Sequence, residues 1–167
     1  MRRIGGVLGL WLCVCLCLAL CGCRATEAPP ETSAFSATVT LTAGDFTATA
    51  TVRRAGIGQL QLDCTAPPSL AGFSVLQNGE TVTLSKNGVS FAVSPDSMPQ
   101  AALFLRLCRV LDDVALGNVN PQDGRVQGVC ETTPYTLTFD EKTGELVALY
   151  LPNEEISVVF SDFSLNL

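Results

Sequence analysis

Residues 35–64, FSATVTLTAGDFTATATVRRAGIGQLQLDC, decide the fold, because apolar and polar side chains alternate through most of their length. Alternation with a period of two is typical of strands that bury one face. One side of the three runs carries apolar residues: Ala37, Val39, Leu41, Ala43, Phe46, Ala48, Ala50, Val52, Leu60, Leu62 and Cys64. The other side carries mostly threonine, glutamine and charged residues. The sequence therefore predicts three successive half-buried β-strands.

The remaining chain continues this pattern, with turn residues between the runs. Asn78-Gly79 and Asn87-Gly88 suit the positive backbone angles of tight hairpins, so the first half indicates about six antiparallel strands in a meander. Strands return after Asp123. The ninth strand is apolar on both sides, with Leu146, Ala148 and Tyr150 on one and Val147, Leu149 and Leu151 on the other. We expect about ten strands, with the ninth covered twice or facing a partner.

One segment changes period. From Met98 to about Ala115, apolar side chains recur at helical spacing. They are Phe104, Leu107, Cys108, Leu111 and Ala115. A ten-strand sheet with one apolar face must close on itself, split into a sandwich or wrap around another element, and this single helix supplies such an element.

The first residues, MRRIGGVLGLWLCVCLCLALCGC, predict export. Two arginines precede an apolar core, and Gly22 lies immediately before Cys23, which resembles the lipobox of bacterial lipoproteins. We predict a signal peptide over 1–22, a lipid anchor on Cys23, a tether over 23–33 and one domain over 34–167. Cys21 is the competing anchor, and an uncleaved membrane helix is the alternative to cleavage. Both interpretations place the domain outside the cytoplasm, at the outer face of the cell membrane.

Composition excludes several classes of function. The sequence has 16 acidic and 10 basic residues, and two of the basic ones lie in the leader, so the mature charge is 8 minus 16, or −8. Such a chain lacks the basic surface that nucleic-acid binding needs. It has no histidine, which removes the commonest general base and metal ligand. Ser69 and Ser94 lie in no GxSxG or SxxK motif. We predict no catalytic residue, no metal site, no cofactor and no enzymatic activity.

Three cysteines remain in the domain, Cys64, Cys108 and Cys130, each on the apolar side of its element. Two states are possible for these cysteines: all three are buried free thiols, or two of them form a disulfide, for which there are three possible pairings. The inward apolar residues are likewise open to two interpretations, a packed core or the lining of a cavity for an acyl chain. The candidate lining consists of Val39, Leu41, Phe46, Leu60, Leu62, Phe73, Val82, Leu84, Phe91 and Phe104.

The order of elements resembles the lipoprotein-carrier superfamily of the LolA, LolB and LppX type. The resemblance lies in the meander over residues 35–93, the helical insertion PQAALFLRLCRVLDD and the returning strands that end in EISVVFSDF. It implies a mainly β, α+β fold, in which a curved antiparallel sheet of about ten strands forms a half-barrel wrapped on a single central helix. It also implies an apolar cavity that binds lipid.

Two functions follow as expectations. The first is a membrane-anchored extracytoplasmic lipoprotein that binds or carries an apolar envelope molecule between sheet and helix. The alternative is a packed structural or interaction lipoprotein that binds another envelope protein and no small ligand.

Overall fold

The structure, a computed structural model, describes residues 34–94, 99–117, 123–130 and 132–165. The predicted signal peptide, Cys23 and the tether lie outside the described residues. Within these ranges the strands form one antiparallel sheet of ten strands, and a single α-helix lies against one of its faces. The predicted fold class is confirmed: the sheet is curved and does not close.

The elements follow the alternating segments closely. The strands are β1 (Phe35–Ala43), β2 (Phe46–Gly56), β3 (Gln59–Ala66), β4 (Phe73–Asn78), β5 (Thr81–Lys86), β6 (Val89–Val93), β7 (Arg125–Cys130), β8 (Thr133–Phe139), β9 (Leu146–Leu151) and β10 (Ile156–Leu165). The helix, α1, spans Pro99–Ala115, and a short 3-10 turn spans Pro152–Glu154. Within the described ranges, α1 is too short or too polar to cross a membrane.

The sheet has two wings that meet at its centre. The strand order is β6-β5-β4-β3-β2-β1-β10-β9-β8-β7, so β1 to β6 form one meander and β7 to β10 form a second. The two wings join where β1 pairs with β10, with Phe35 opposite Leu165 and Val39 opposite Phe160.

The core lies between α1 and the face of the sheet that carries Ala37, Val39 and Val52, here called the inner face. These strand residues are at most 3 % exposed, because their alternation places every second side chain under the helix. The helix contributes its own buried residues: Phe104, Leu105, Leu107, Cys108, Val110, Leu111 and Val114. Burial of this apolar surface is the main stabilising contribution to the fold.

The predicted grouping of Leu146 with Tyr150 on one side of the ninth strand is wrong. Leu149 and Leu151 are buried, whereas Tyr150 is 45 % exposed. The register of β8 against β9 shifts between Thr138 and Phe139, so strict alternation fails at this point. As a result Leu146 lies on the same face as Leu149 and Leu151.

Candidate apolar ligand site

The ten side chains predicted to line a cavity all lie on the inner face or on α1, but they differ in accessibility. Five are buried in the core: Val39, Leu60, Val82, Leu84 and Phe104. Three are half-buried and pack against the core: Leu41, Leu62 and Phe73. Phe46 and Phe91 are 47 % and 53 % exposed. The predicted lining therefore separates into a packed part and an accessible part.

The accessible part lies on the β1–β6 wing, and we call it the apolar strip. It consists of Leu41, Ala43, Phe46, Ala48, Leu62, Cys64, Phe73, Val89 and Phe91. Register places Ala43 opposite Phe46 and Leu41 opposite Ala48. Its members lie on five of six neighbouring strands, with none on β5, and the six strands span about 24 Å at the usual strand spacing.

The strip belongs to the same face as the core. Phe46 shares its side of β2 with the buried Ala50 and Val52, because side chains two residues apart point to the same face. In the same way Phe91 lies directly opposite the buried Leu84. One apolar face is thus packed under α1 in one part and open in another.

Two ion pairs fix the position of α1 relative to the sheet. Asp112 on the helix binds Arg54, which lies opposite Phe35 at the start of β1. Phe46 lies opposite Ala43 at the other end of that strand, eight residues or about 27 Å away. A second ion pair joins Arg106 of the helix to Glu154 of the 3-10 turn. The second contact lies at the same end of the sheet as the strip, because Glu154 is two residues before Ile156, which pairs with Ala43.

The Arg54–Asp112 contact was not predicted from the sequence. The Arg54 side chain is fully buried, and its Nη2 lies 2.6 Å from Asp112 Oδ1. The backbone N–H of Gly58 also donates to the same carboxylate, at 3.1 Å from each oxygen. A signal was available, because strand alternation after Val52 places Arg54 inward. Asp112 is 58 residues away in the sequence, so no local pattern indicates that it pairs with Arg54.

We expect the three cysteines of the domain to contribute packing contacts and not covalent bonds. Cys64, half-buried in the strip, and Cys108, buried under the helix, carry free thiols, and Cys130 is buried. Burial, together with the charge of Asp112, raises the pKa of Cys108 to about 11, so this thiol stays protonated near neutral pH. In the described part of the chain, no three Cys, Asp or Glu side chains are grouped so that they could hold a metal ion.

A second concavity lies on the opposite face of the sheet. It has a volume of about 500 Å³ and is lined by the side chains of Arg53, Gln59, Gln61 and Leu76, among others. Arg53 and Gln61 already donate to Asp63, at 2.5 and 3.0 Å. Partial burial raises the pKa of Asp63, but hydrogen bonds from Ser74, Arg53 and Gln61 outweigh it and hold that pKa below its ordinary value. None of the residues that line this concavity belongs to the apolar strip.

No known protein-family model matches the sequence, and no curated protein matches it. Solved structures do show similarity. An uncharacterized conserved protein from Thermus thermophilus is 11 % identical, with 82 % of this chain and 81 % of that chain covered and a TM-score of 0.48. LprF from Mycobacterium bovis is 16 % identical, with 81 % and 88 % covered and a TM-score of 0.43. This chain is also similar to a LolA superfamily protein from Nitrosomonas europaea, at 13 % identity, with 86 % and 90 % covered and a TM-score of 0.42.

Proposed function

We propose that this chain is an exported, lipid-anchored protein that binds an acyl chain or another apolar envelope molecule along the apolar strip. One observation carries the proposal: Phe46 and Phe91 are about half exposed on the very face that elsewhere forms the core. Exposed aromatic side chains that continue a core surface are a feature of ligand-binding grooves. The proposed activity is burial of the ligand, without a chemical step.

The strip is large enough for such binding to be favourable. Each buried methylene group contributes about 0.8 kcal/mol, so ten contribute about 8 kcal/mol. This lies within the range of about 4–15 kcal/mol that association costs, so a long chain is needed and a short one is insufficient. Small side chains at Ala43 and Ala48 leave room beside Leu41 and Phe46 for a chain to lie against the sheet.

The ligand part of the proposal is tested on protein purified without detergent. We expect native mass spectrometry to show a co-purifying lipid, and a fluorescent hexadecanol analogue to bind the delipidated protein with saturation. A ligand-free spectrum together with no uptake of the analogue would contradict the proposal.

The anchor part rests on the sequence pattern around Cys23 and is tested separately. We expect cells fed an alkyne-labelled fatty acid to label the protein, and Cys23→Ser to abolish the label. The matched control is Cys21→Ser, which removes the competing cysteine and should leave the label intact. If Cys21→Ser loses the label and Cys23→Ser keeps it, the lipid is attached to Cys21 and not to Cys23.

A second candidate function is binding of another envelope protein. It is favoured by exposed apolar side chains on the opposite face of the sheet, where Tyr150 and Val159 are 45 % and 48 % exposed on the neighbouring strands β9 and β10. A photo-crosslinking residue at position 150 should then capture one partner in cells. Recovery of uncrosslinked monomer alone would exclude this face as the binding surface.

A further inference from the structure

Lys86 is the last residue of β5 and lies on the inner face. The two residues before it at strand spacing, Val82 and Leu84, are both buried in the core. Register places Lys86 opposite Phe73 on one side and opposite Val89 on the other, and both are members of the apolar strip. The side chain therefore begins within the strip and carries an ammonium group at its border.

The ammonium group of Lys86 has capacity for another partner. Its Nζ donates to the backbone carbonyl of Ser69 at 2.7 Å, and a lysine ammonium has three donors. Among the described residues, Lys86 forms no ion pair with a carboxylate, whereas Arg53, Arg54 and Arg106 each do. Arg54, which shares the inner face, is fully buried and bound to Asp112.

We propose that Lys86 binds the anionic head group of an amphiphile whose hydrocarbon chain lies along the apolar strip. The ligand class is a single-chain lipid with a carboxylate or phosphate head, and this assignment rests on the proposed function. The chain as a whole has a net charge of −6, so a small anion without a hydrocarbon chain has no general attraction to the protein. Head and tail must then act together: the tail supplies affinity, and Lys86 selects the charge.

The test compares three ligands of equal chain length: hexadecanoic acid, hexadecyl phosphate and hexadecanol. Each competes with a fluorescent hexadecanol analogue at pH 8.5 and low salt. We expect the wild-type protein to prefer the two anionic ligands over hexadecanol by about 3- to 5-fold, the upper part of the range for an exposed ion pair, and high salt to reduce this preference. The stronger of the two anions identifies a carboxylate or a phosphate as the better head group.

Substitutions distinguish a specific effect of Lys86 from an effect of the overall charge of the protein. Lys86→Met should reduce the preference to less than about twofold and leave the affinity for hexadecanol unchanged, whereas Lys86→Arg should keep the preference. The control is Lys142→Met, which removes a positive charge from the exposed turn between β8 and β9. Thermal unfolding of each variant confirms that the fold is retained.

The outcomes distinguish this inference from the proposed function. The proposed role of Lys86 is contradicted if the wild-type protein binds all three ligands equally, or if Lys142→Met loses the preference as much as Lys86→Met does. In either case the proposal that the apolar strip binds a ligand is unaffected. If no ligand binds, the proposed function itself fails.

Discussion

Replacing Asp112 with alanine is expected to lower the free energy of unfolding by about 3–5 kcal/mol, because it removes the carboxylate that pairs with the buried Arg54 guanidinium. The Arg54 side chain has no exposed surface, and Asp112 also accepts the N–H of Gly58. Urea unfolding of the two proteins at neutral pH measures the difference. The reverse change, Arg54→Met, should cost less, since Asp112 is 18 % exposed and water can reach its carboxylate.

The neighbouring residue provides a matched control. Arg53 pairs with Asp63 at 2.5 Å, but its side chain is 57 % exposed. Arg53→Met should therefore change stability by at most about 1 kcal/mol. The double variant Arg54→Met with Asp112→Ala should be more stable than Asp112→Ala alone, because it removes the uncompensated charge. Equal costs for Asp112→Ala and Arg53→Met would show that burial of the pair has no energetic consequence.

The double variant Phe46→Asp with Phe91→Asp is expected to weaken hexadecanol binding by at least about 10-fold. Each phenylalanine is about half exposed, so a ligand that covers it gains about 0.8–1.5 kcal/mol, which corresponds to about 4- to 13-fold in affinity. Each aspartate also presents a charge that an apolar chain cannot pair. Titration with the fluorescent hexadecanol analogue measures the loss. Both positions are about half exposed, so the fold should tolerate the changes.

Tyr150→Asp is the control for this experiment. It places the same charge on an aromatic position of similar exposure, but on the opposite face of the sheet. We expect its affinity for hexadecanol to match that of the wild-type protein. Equal weakening by Tyr150→Asp and by the inner-face variant would mean that added negative charge, and not the apolar strip, controls binding.

The fold was predictable because its local signals agree. In β1 to β3 each apolar residue has a polar neighbour, so the buried face could be assigned from alternation alone. The change of period located α1, and the Asn-Gly pairs located two hairpins. The prediction failed in β9, where the register shift beside Phe139 puts Leu146 on the face of Leu149. A shift of this kind depends on the partner strand and leaves no trace in the strand's own sequence.

The site was predictable only as a set of inward residues. The sequence placed Leu84 and Phe91 on one face, yet Leu84 is buried and Phe91 is half exposed. The two residues lie directly opposite each other on neighbouring strands, and Phe91 belongs to β6, the last strand at that edge of the sheet. Exposure at an edge depends on the strand order of the whole sheet, which leaves no periodic signal in the sequence. Lys86 was predictable in part, since it continues the spacing of Val82 and Leu84.

The pairing of β1 with β10 has a consequence for how the protein acquires its structure. The first and last strands of the described chain are neighbours at the centre of the sheet, with Phe35 opposite Leu165. Bringing such distant segments together costs loop-closure entropy and slows folding. The two wings cannot join until Ile156–Leu165 has been synthesised, so β1 lacks one of its two neighbouring strands until then.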